Sequence, residues 1–183
     1  AQYVVPVFHV YDTRSRFQEG EEAFRQAAAA LEQHWQQNGE SPSTQILLGQ
    51  VVGRQGWFTF HLGQQETAVV LLQRSLELLA TSAQAADRIF PLNYLGAVEM
   101  HRGDYAAAQA HLEACLAICR QTNDRFGTSV SLNILGRIAY LQGDYERANQ
   151  LCHESIAIKQ ALGDEWGITF SMTYLGLIAQ AQG

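Results

Sequence analysis

The chain has 183 residues, of which 47% are hydrophobic and 16% are charged, and its formal net charge is −6. Ordinary globular chains carry roughly 25% charged residues, so uncharged polar side chains must supply much of this surface. Proteins that bind nucleic acids neutralise phosphates with clustered Lys and Arg, whereas Lys159 is the only lysine here. The composition therefore predicts no direct nucleic-acid binding. The acidic surface also argues against adsorption to anionic membranes.

The three cysteines bear on the cellular compartment. Cys115, Cys119 and Cys152 are an odd number, and no small disulfide framework surrounds them, which favours reduced thiols and a cytoplasmic protein. The sequence has no apolar run of about 18 residues or more and no signal-peptide pattern, so we predict no membrane partner. It opens on AQYVVPVF without an initiator Met and stops midway through a repeat. We therefore expect a segment of a longer protein.

Residues 1–37 read as a degenerate helix pair. Residues 1–13 are apolar and aromatic, with Pro6 among them, and alone they would fit a strand because Val and Tyr favour extended structure. The residues that follow, however, place Phe17, Phe24 and Leu31 at helical spacing. We predict that residues 2–13 form the first helix of this pair, bent or started late by Pro6.

Residues 38–44 are predicted to be an inserted loop. Asn38-Gly39 and Ser41-Pro42 are turn signals, and Ser43 or Thr44 is suited to cap the helix that follows. Such a loop on a rigid array is either a tolerated insertion or a contact site. The sequence leaves both interpretations open.

From residue 45 to residue 183 the sequence repeats with a period of about 40 residues. Leu95-Gly96 recurs as Leu135-Gly136 and Leu175-Gly176, and Gly103-Asp104-Tyr105 recurs as Gly143-Asp144-Tyr145. A fixed period of this size, with helix-compatible content, is typical of stacked helical hairpins. The predicted helices are 45–62, 65–80, 87–102, 105–120, 124–142, 145–161 and 164–181, the last without a partner.

Single residues within the period have local physical reasons. Asp124 and Asp164 stand before helices, where a carboxylate accepts bonds from free backbone N–H groups. Gly103 and Gly143 stand after helix ends, where a left-handed residue closes the turn. Gly136 lies inside a helix at a cost of about 1 kcal/mol, so we expect a neighbouring helix to approach closely there.

Large apolar residues predict contacts at the helix ends and on the last helix. Four large residues are expected to pack between successive hairpins: Tyr105, Tyr145, Phe126 and Trp166. The last helix lacks a partner, so it should expose apolar residues and self-associate through them. The residues expected on that face are Ile168, Met172, Leu175 and Ile178.

The Gly-Asp-Tyr motif, the small residues Ala108 and Ala148 three places on, and the upstream Leu-Gly resemble the tetratricopeptide repeat (TPR). The period is about 40 residues instead of about 34. The usual terminal Pro is absent, and both departures are shared by a known 40-residue subtype whose consensus resembles Leu162–Ile168. That subtype is similar to the C-terminal sensor arrays of bacterial STAND-class transcriptional regulators and to Pins-type adaptors. The run RFQEGEEAF, residues 16–24, resembles the bacterial group more closely.

The resemblance implies an all-α fold, a right-handed superhelix of antiparallel helix pairs with about four pairs and one unpaired final helix. It also implies that the first helix of each pair lines a concave surface. Aromatic, Asn, Arg and His side chains on such a surface suit ligand binding. The implied concave-face residues are Arg54, Trp57, His61, Asn93, Tyr94, His101, Asn133, Arg137, Tyr140 and Tyr174.

Two alternatives stay open for these positions. Phe60, Phe90 and Phe170, which share the surface, also fit simple packing between helices, and the Arg and Asn residues also fit a solvated helix face. Asn93 and Asn133 occupy the same place in successive units. In peptide-binding TPRs, asparagines repeated in this way hold the backbone amides of an extended peptide, so the resemblance implies the same role for these two.

The sequence contains none of the catalytic motifs that we sought. The sequence has no P-loop, HExxH, GxSxG or CxxC motif. His111, Cys115 and Cys119 follow the spacing i, i+4, i+8 and are suitable zinc ligands by type, but Cys115 replaces a small residue that is serine in sister units, which favours packing. We predict no catalytic residue, no metal and no cofactor.

We therefore expect a non-catalytic sensor domain of a larger bacterial signalling or transcriptional regulator. It would bind a protein or peptide partner, or a small-molecule effector, through the concave face. The alternative is a scaffold or adaptor domain that clamps an extended peptide of a partner protein.

Overall fold

The computed structural model describes residues 4–39 and 41–182 and consists of α-helices joined by short turns. Within those residues there is no strand, so the predicted all-α fold class is confirmed and an extended segment at 4–13 is excluded. Residues 2, 3 and 183 and Glu40 of the predicted loop lie outside the described residues. The helices are α1 Val4–Asp12, α2 Phe17–Asn38, α3 Pro42–His61, α4 Gln65–Leu78, α5 Ile89–His101, α6 Tyr105–Thr122, α7 Arg125–Leu141, α8 Tyr145–Leu162 and α9 Glu165–Gln182, with a short 3-10 helix, Ala85–Arg88, before α5.

The connection between α2 and α3 is shorter than the predicted loop 38–44. Helix α2 runs to Asn38, and α3 begins at Pro42 instead of residue 45. Proline suits the first turn of a helix because its fixed φ is helical and its missing N–H would have had no partner. Ser41 holds the N-cap position, so neither Ser43 nor Thr44 caps this helix.

The repeated turns are built as the sequence predicts. Gly103 and Gly143 each have a φ of +81°, which closes the turn in the left-handed region. Asp104 and Asp144 follow them as N-caps, and each carboxylate accepts a 3.1 Å hydrogen bond from the backbone N–H three residues on. Two further N-terminal carboxylates accept bonds from Gly127 and Gly167 at 2.9 and 2.8 Å; they belong to Asp124 and Asp164.

The helices form two compact units, Ala1–Val98 and Glu99–Gly183. The first unit has a core of aromatic rings at its N-terminal end. Phe8 of α1 packs edge-on against Phe24 of α2, with ring centroids 6.4 Å apart, and Phe58 of α3 lies 5.3 Å from Phe8. Gly20 admits this packing, because a Cβ there would lie 2.6 Å from the Phe58 ring.

Burial of Phe8 explains why α1 is helical. Its sequence VVPVFHVYD is rich in valine, which has low helix propensity, and contains Pro6. Only 5% of Phe8 is exposed, whereas Val5, Val7 and Val10 are 45%, 42% and 49% exposed. Tertiary packing of one ring therefore stabilises a helix that local propensity does not favour.

The second unit contains α6 to α9. Its helices are joined by hydrogen bonds as well as by apolar packing: the Ser155 hydroxyl donates to the carbonyl oxygen of Ser129 at 2.8 Å, and Lys159 Nζ donates to the carbonyl oxygen of Gly167 at 2.8 Å. Burial lowers the pKa of Lys159, and nearby Asp164 opposes that effect.

The apolar predictions for the helix ends and for α9 are partly wrong. Phe126 and Trp166 are 54% and 74% exposed and do not fill a space between hairpins. On α9, Met172 is exposed as predicted, but Ile178 is 1% exposed because it packs against Ala139 and Ala148. Helix α9 therefore turns its Ile178 side towards α7 and α8. Its exposed apolar residues are Trp166, Phe170, Met172 and Leu177.

Candidate partner-binding face

In the first unit the structure brings three of the predicted site residues together. The Trp57 and Tyr94 rings lie 4.2 Å apart, and Tyr94 lies 4.4 Å from Phe90. The Arg54 guanidinium stands 4.6 Å from the centroid of the Phe90 ring. We call Arg54, Trp57, Phe90 and Tyr94 the Trp57 cluster. Helices α3 and α5 supply these residues, so the first helices of two successive pairs build one cluster.

Helix α1 lies over the Trp57 cluster, which the sequence analysis did not foresee. The Trp57 indole N–H donates a 2.9 Å hydrogen bond to Asp12 Oδ1. Phe8 stands edge-on to Phe90 with centroids 5.2 Å apart, and the Arg54 guanidinium lies 5.7 Å from the Phe8 ring. Alignment of the repeats contains one sign of this contact: Phe8 occupies the position at which the sister units have Gly56 and Gly136.

Burial dominates the electrostatics of this cluster. It lowers the pKa of Arg54 to about 10, while nearby Tyr94 and Asp87 favour the charged form. Arg54 Nε is buried and has no hydrogen-bond partner among the described residues, although one terminal nitrogen donates to the carbonyl oxygen of Gln50. Burial also raises the pKa of Tyr94, and the Asp12 carboxylate adds to that rise.

His61 lies at the edge of the same region. Its ring is exposed and stacks on Phe17 of α2, with centroids 4.5 Å apart and planes 12° from parallel. It also meets the Trp57 ring edge-on at 3.9 Å. His61 therefore lies on the surface next to the Trp57 cluster.

In the second unit four predicted residues meet. Arg137 Nε donates a 2.8 Å hydrogen bond to the Tyr174 hydroxyl oxygen, and its guanidinium lies 5.1 Å from the Tyr174 ring centroid. Arg137 Nη2 lies 3.3 Å from His101 Nε2, and the Tyr140 and Tyr174 rings are 5.8 Å apart. We call His101, Arg137, Tyr140 and Tyr174 the Arg137 cluster. None of the four is buried, so they present donors and ring faces to solvent.

The surroundings of His101 lower its pKa. Burial lowers its pKa from the usual 6.5, and the positive charge of Arg137 lowers it further. The imidazole is therefore held towards its neutral form beside a charged guanidinium.

The two predicted asparagines lie inside the packing instead of on an open face. Asn93 is 3% exposed and Asn133 is 8% exposed. The Asn133 amide donates a 2.7 Å hydrogen bond to the Ser171 hydroxyl and so joins α7 to α9. Both side chains belong to the packing of the repeats, and we remove both from the candidate face.

The histidine and cysteines on α6 are part of the packing. Cys115 and Cys119 are 0% and 1% exposed, with sulfur atoms 3.9 Å apart, and burial raises the pKa of Cys115 to about 12. His111 Nδ1 instead lies 2.8 Å from Glu99 Oε2. No group of three His, Cys, Asp or Glu side chains in residues 4–39 and 41–182 is arranged to hold a metal ion.

In the same described ranges, no helix is both long enough and apolar enough to cross a membrane. Two open clefts occur in the first unit away from the Trp57 cluster. One lies between α1 and α2 beside Tyr11 and Glu22, and the other lies among α2, α3 and α4 beside Trp35 and Leu78.

Comparison with known proteins agrees with the helical-repeat fold. Residues 87–161 match the tetratricopeptide repeat family, while no curated protein matches the chain. Among solved structures, BtubC (BKLC) from P. vanneervenii is similar, with a TM-score of 0.76 and 15% identity over 100% of this chain and 72% of that one. The TPR-like repeats of a putative kinesin light chain from Podosopora anserina give a TM-score of 0.64 and 18% identity, over 99% of this chain and 89% of that one. The chain therefore has a TPR-like repeat fold, and its residues 87–161 carry the sequence pattern of that repeat family.

Proposed function

We propose that this chain is a non-catalytic protein-binding array within a larger bacterial signalling or transcriptional regulator. TPR-like repeats suggest a scaffold for protein–protein interaction. The regulator context rests on the resemblance of Arg16–Phe24 and Leu162–Ile168 to bacterial STAND-class sensor arrays. The thiols of Cys115, Cys119 and Cys152 are buried and form no disulfide, which suits a cytoplasmic location.

One observation carries the proposal. The Arg137 cluster brings a guanidinium, an imidazole and two phenol rings together on accessible helix surface. Arginine and tyrosine are enriched among the residues that dominate binding at protein interfaces. The cluster offers directional donors and flat apolar rings without a nucleophile activated by a base, which favours recognition over catalysis.

A sensor is favoured over a passive adaptor by the position of α1. This nine-residue helix lies over the Trp57 cluster and is held by Phe8 and Asp12. A partner or small-molecule effector that competed with α1 would favour a different arrangement of the first unit. Differential binding of this kind shifts a population and passes a signal to a neighbouring module. An adaptor that clamps a peptide needs no such displaceable element.

Self-association through α9 is a second, separate proposal. Trp166, Phe170 and Met172 expose apolar surface on this helix, and exposed apolar patches mark sites of association. Dilution of the purified chain in sedimentation equilibrium should dissociate an α9-mediated dimer. The triple change Trp166→Gln, Phe170→Gln and Met172→Gln should make it monomeric at all concentrations tested, and an unchanged oligomer would refute this proposal.

The main proposal is tested in the full-length protein. Partners captured by the wild-type protein are quantified against Tyr140→Ala and Tyr174→Ala variants, with Arg147→Ala on the exposed face of α8 as the matched control. We expect partner binding to fall at least about tenfold in both tyrosine variants, since anchor residues at interfaces contribute about 2 kcal/mol or more. Full binding by both tyrosine variants would refute a role for this face.

A further inference from the structure

We propose that the Arg137 cluster binds a carboxylate, supplied by an aspartate or glutamate side chain of the partner protein. This inference rests on the proposed function, and it names the chemistry that the second unit recognises. The chain's own repeat supports it, because the first unit contains the equivalent site with a carboxylate already in it.

The two clusters share one pair of equivalent positions. Arg137 stands two repeat periods after Trp57, and Tyr174 stands two repeat periods after Tyr94. Each pair is in contact: the Trp57 and Tyr94 rings are 4.2 Å apart, and Arg137 Nε is 2.8 Å from the Tyr174 hydroxyl. The same two positions of the repeat therefore form the same pair in both units.

In the first unit this pair receives a carboxylate. Asp12, the last residue of α1, accepts the Trp57 indole hydrogen bond at 2.9 Å. In the second unit the last residue of α5, His101, lies one place beyond the position that corresponds to Asp12, and its Nε2 is 3.3 Å from Arg137 Nη2. The first unit thus joins an anion to a neutral donor, whereas the second joins an imidazole to a cation.

The positive charge of Arg137 is not neutralised within the described part of the chain. Its guanidinium meets the Tyr174 hydroxyl and the His101 ring, and no described carboxylate lies within 4.0 Å of it. Three other arginines of this acidic chain have carboxylate partners: Arg16 pairs with Glu19, Arg25 with Glu22 and Arg74 with Glu32. An accessible cation among rings, in a chain of net charge −6, is a specific place for an external anion.

The donors suit a singly charged carboxylate. A guanidinium presents a planar fork that matches the two oxygens of a carboxylate, and Arg137 keeps its Nη1 edge without a hydrogen-bond partner in the described chain. A bound carboxylate would also stabilise the protonated form of His101. It would thereby oppose the positive charge of Arg137, which disfavours that form. Recognition of phosphorylated peptides relies on clusters of arginines, and this site has one.

A direct test uses N-acetyl-glutamate amide as the probe and the complete chain, labelled for NMR. We expect saturable shifts of the Arg137 Nε–H and His101 ring signals, together with a rise in the pKa of His101. Within the cluster, Arg137 is the charged group in contact with His101. N-acetyl-glutamine amide, which has the same shape without the charge, should produce no such shifts, and the Arg137→Gln variant should respond to neither probe. Arg147→Gln should respond as the wild type does.

A second test uses peptides. Twelve-residue peptides selected from a display library on the wild-type chain are resynthesised with each Asp or Glu changed to its amide, and with phosphoserine in its place. We expect the amide change at one position to weaken binding by about tenfold or more, because it removes a charge-assisted hydrogen bond. The same change should have no effect on binding to Arg137→Gln. Tighter binding of the phosphoserine form would overturn the assignment to a carboxylate.

The outcomes separate this inference from the proposed function. Selected peptides that need Tyr174 but tolerate the amide change would leave the binding face in place and overturn the carboxylate inference. A response to N-acetyl-glutamate amide without any peptide binding would support the carboxylate site and count against the proposed function. Equal responses to the two small probes, or none, would overturn the carboxylate inference. Tyr174→Phe removes only the hydroxyl and retains the ring packing. It therefore tests the contribution of Tyr174 in a variant that is expected to keep its fold.

Discussion

The hydroxyl of Ser75 on α4 donates a 2.7 Å hydrogen bond to the carbonyl oxygen of Gly49 on α3. The same bond recurs two periods later, from Ser155 to Ser129 at 2.8 Å. In the unit between them the equivalent residue is Cys115, which is also fully buried. A small residue at this position therefore lets the two helices of a pair approach, and where it is serine it also joins them by a hydrogen bond.

Removal of the Ser75 hydroxyl should weaken the first unit. We expect Ser75→Ala to lower the free energy of unfolding by about 1 kcal/mol, the usual net contribution of such a bond, as measured by urea denaturation with an unchanged m-value. The exposed Ser43 provides the control, since Ser43→Ala should change the free energy by less than about 0.5 kcal/mol. Equal effects of the two changes would contradict a structural role for this bond.

Alanine at the helical glycines should have opposite effects at two equivalent positions. A Cβ at Gly56 would lie 2.9 Å from Leu72 Cγ, whereas a Cβ at Gly176 would meet no atom within 4 Å. We therefore expect Gly56→Ala to destabilise the fold by about 1–3 kcal/mol through overpacking. Gly176→Ala should stabilise α9 by about 0.5–1 kcal/mol through helix propensity. Thermal unfolding of the two variants tests this contrast, and changes of the same sign would refute it.

Loss of the Trp57 indole donor should release α1. A nine-residue helix rich in valine is not stable alone, and Asp12 loses its 2.9 Å partner in Trp57→Phe. We expect faster hydrogen exchange over residues 4–12, with α3 unchanged. Trp35→Phe on α2 is the matched control and should leave exchange in α1 as in the wild type. Unchanged protection of α1 in Trp57→Phe would contradict a role of the bond between Trp57 and Asp12 in holding the helix.

Removal of the Arg137 charge should raise the pKa of His101. Burial and Arg137 both lower this pKa, so Arg137→Gln removes one of the two causes, and NMR titration of the His101 ring protons measures the change. Because the folded pKa lies below the unfolded one, the unfolded chain binds the proton first as the pH falls. Stability from this group is therefore complete above pH 6.5 and declines as the pH drops through 6.5 towards the lowered value. Arg137→Gln should reduce that decline, whereas Arg147→Gln should not.

Much of the fold followed from local patterns. The Gly-Asp-Tyr turns, the capping carboxylates of Asp124 and Asp164 and most helix bounds were predictable, because turn geometry and caps depend on residues within a few positions of one another. The close approach expected at Gly136 is confirmed, since a Cβ there would lie 3.0 Å from Cys152 Sγ.

The candidate site was only partly predictable, for a physical reason. A repeat pattern states which positions share a face, but not whether a side chain there turns to solvent or bonds to the next helix. Asn133 was expected on an open surface and instead donates to Ser171. Asp12 and Phe8 were assigned only to a helix, and their contacts with Trp57 and Phe90 join parts of the chain that lie far apart in sequence.

The sequence by itself determined the helical period, the turns and the set of positions that belong to the first helix of each pair, since each depends on spacing along one chain. Only the tertiary structure decided which of those positions are buried, that α1 covers the Trp57 cluster, and that Arg137 stands beside Tyr174 and His101 with no carboxylate from the described residues. These features arise when helices distant in sequence pack together. The packing then determines which side chains are buried and which form hydrogen bonds, although the repeat pattern treats their positions as equivalent.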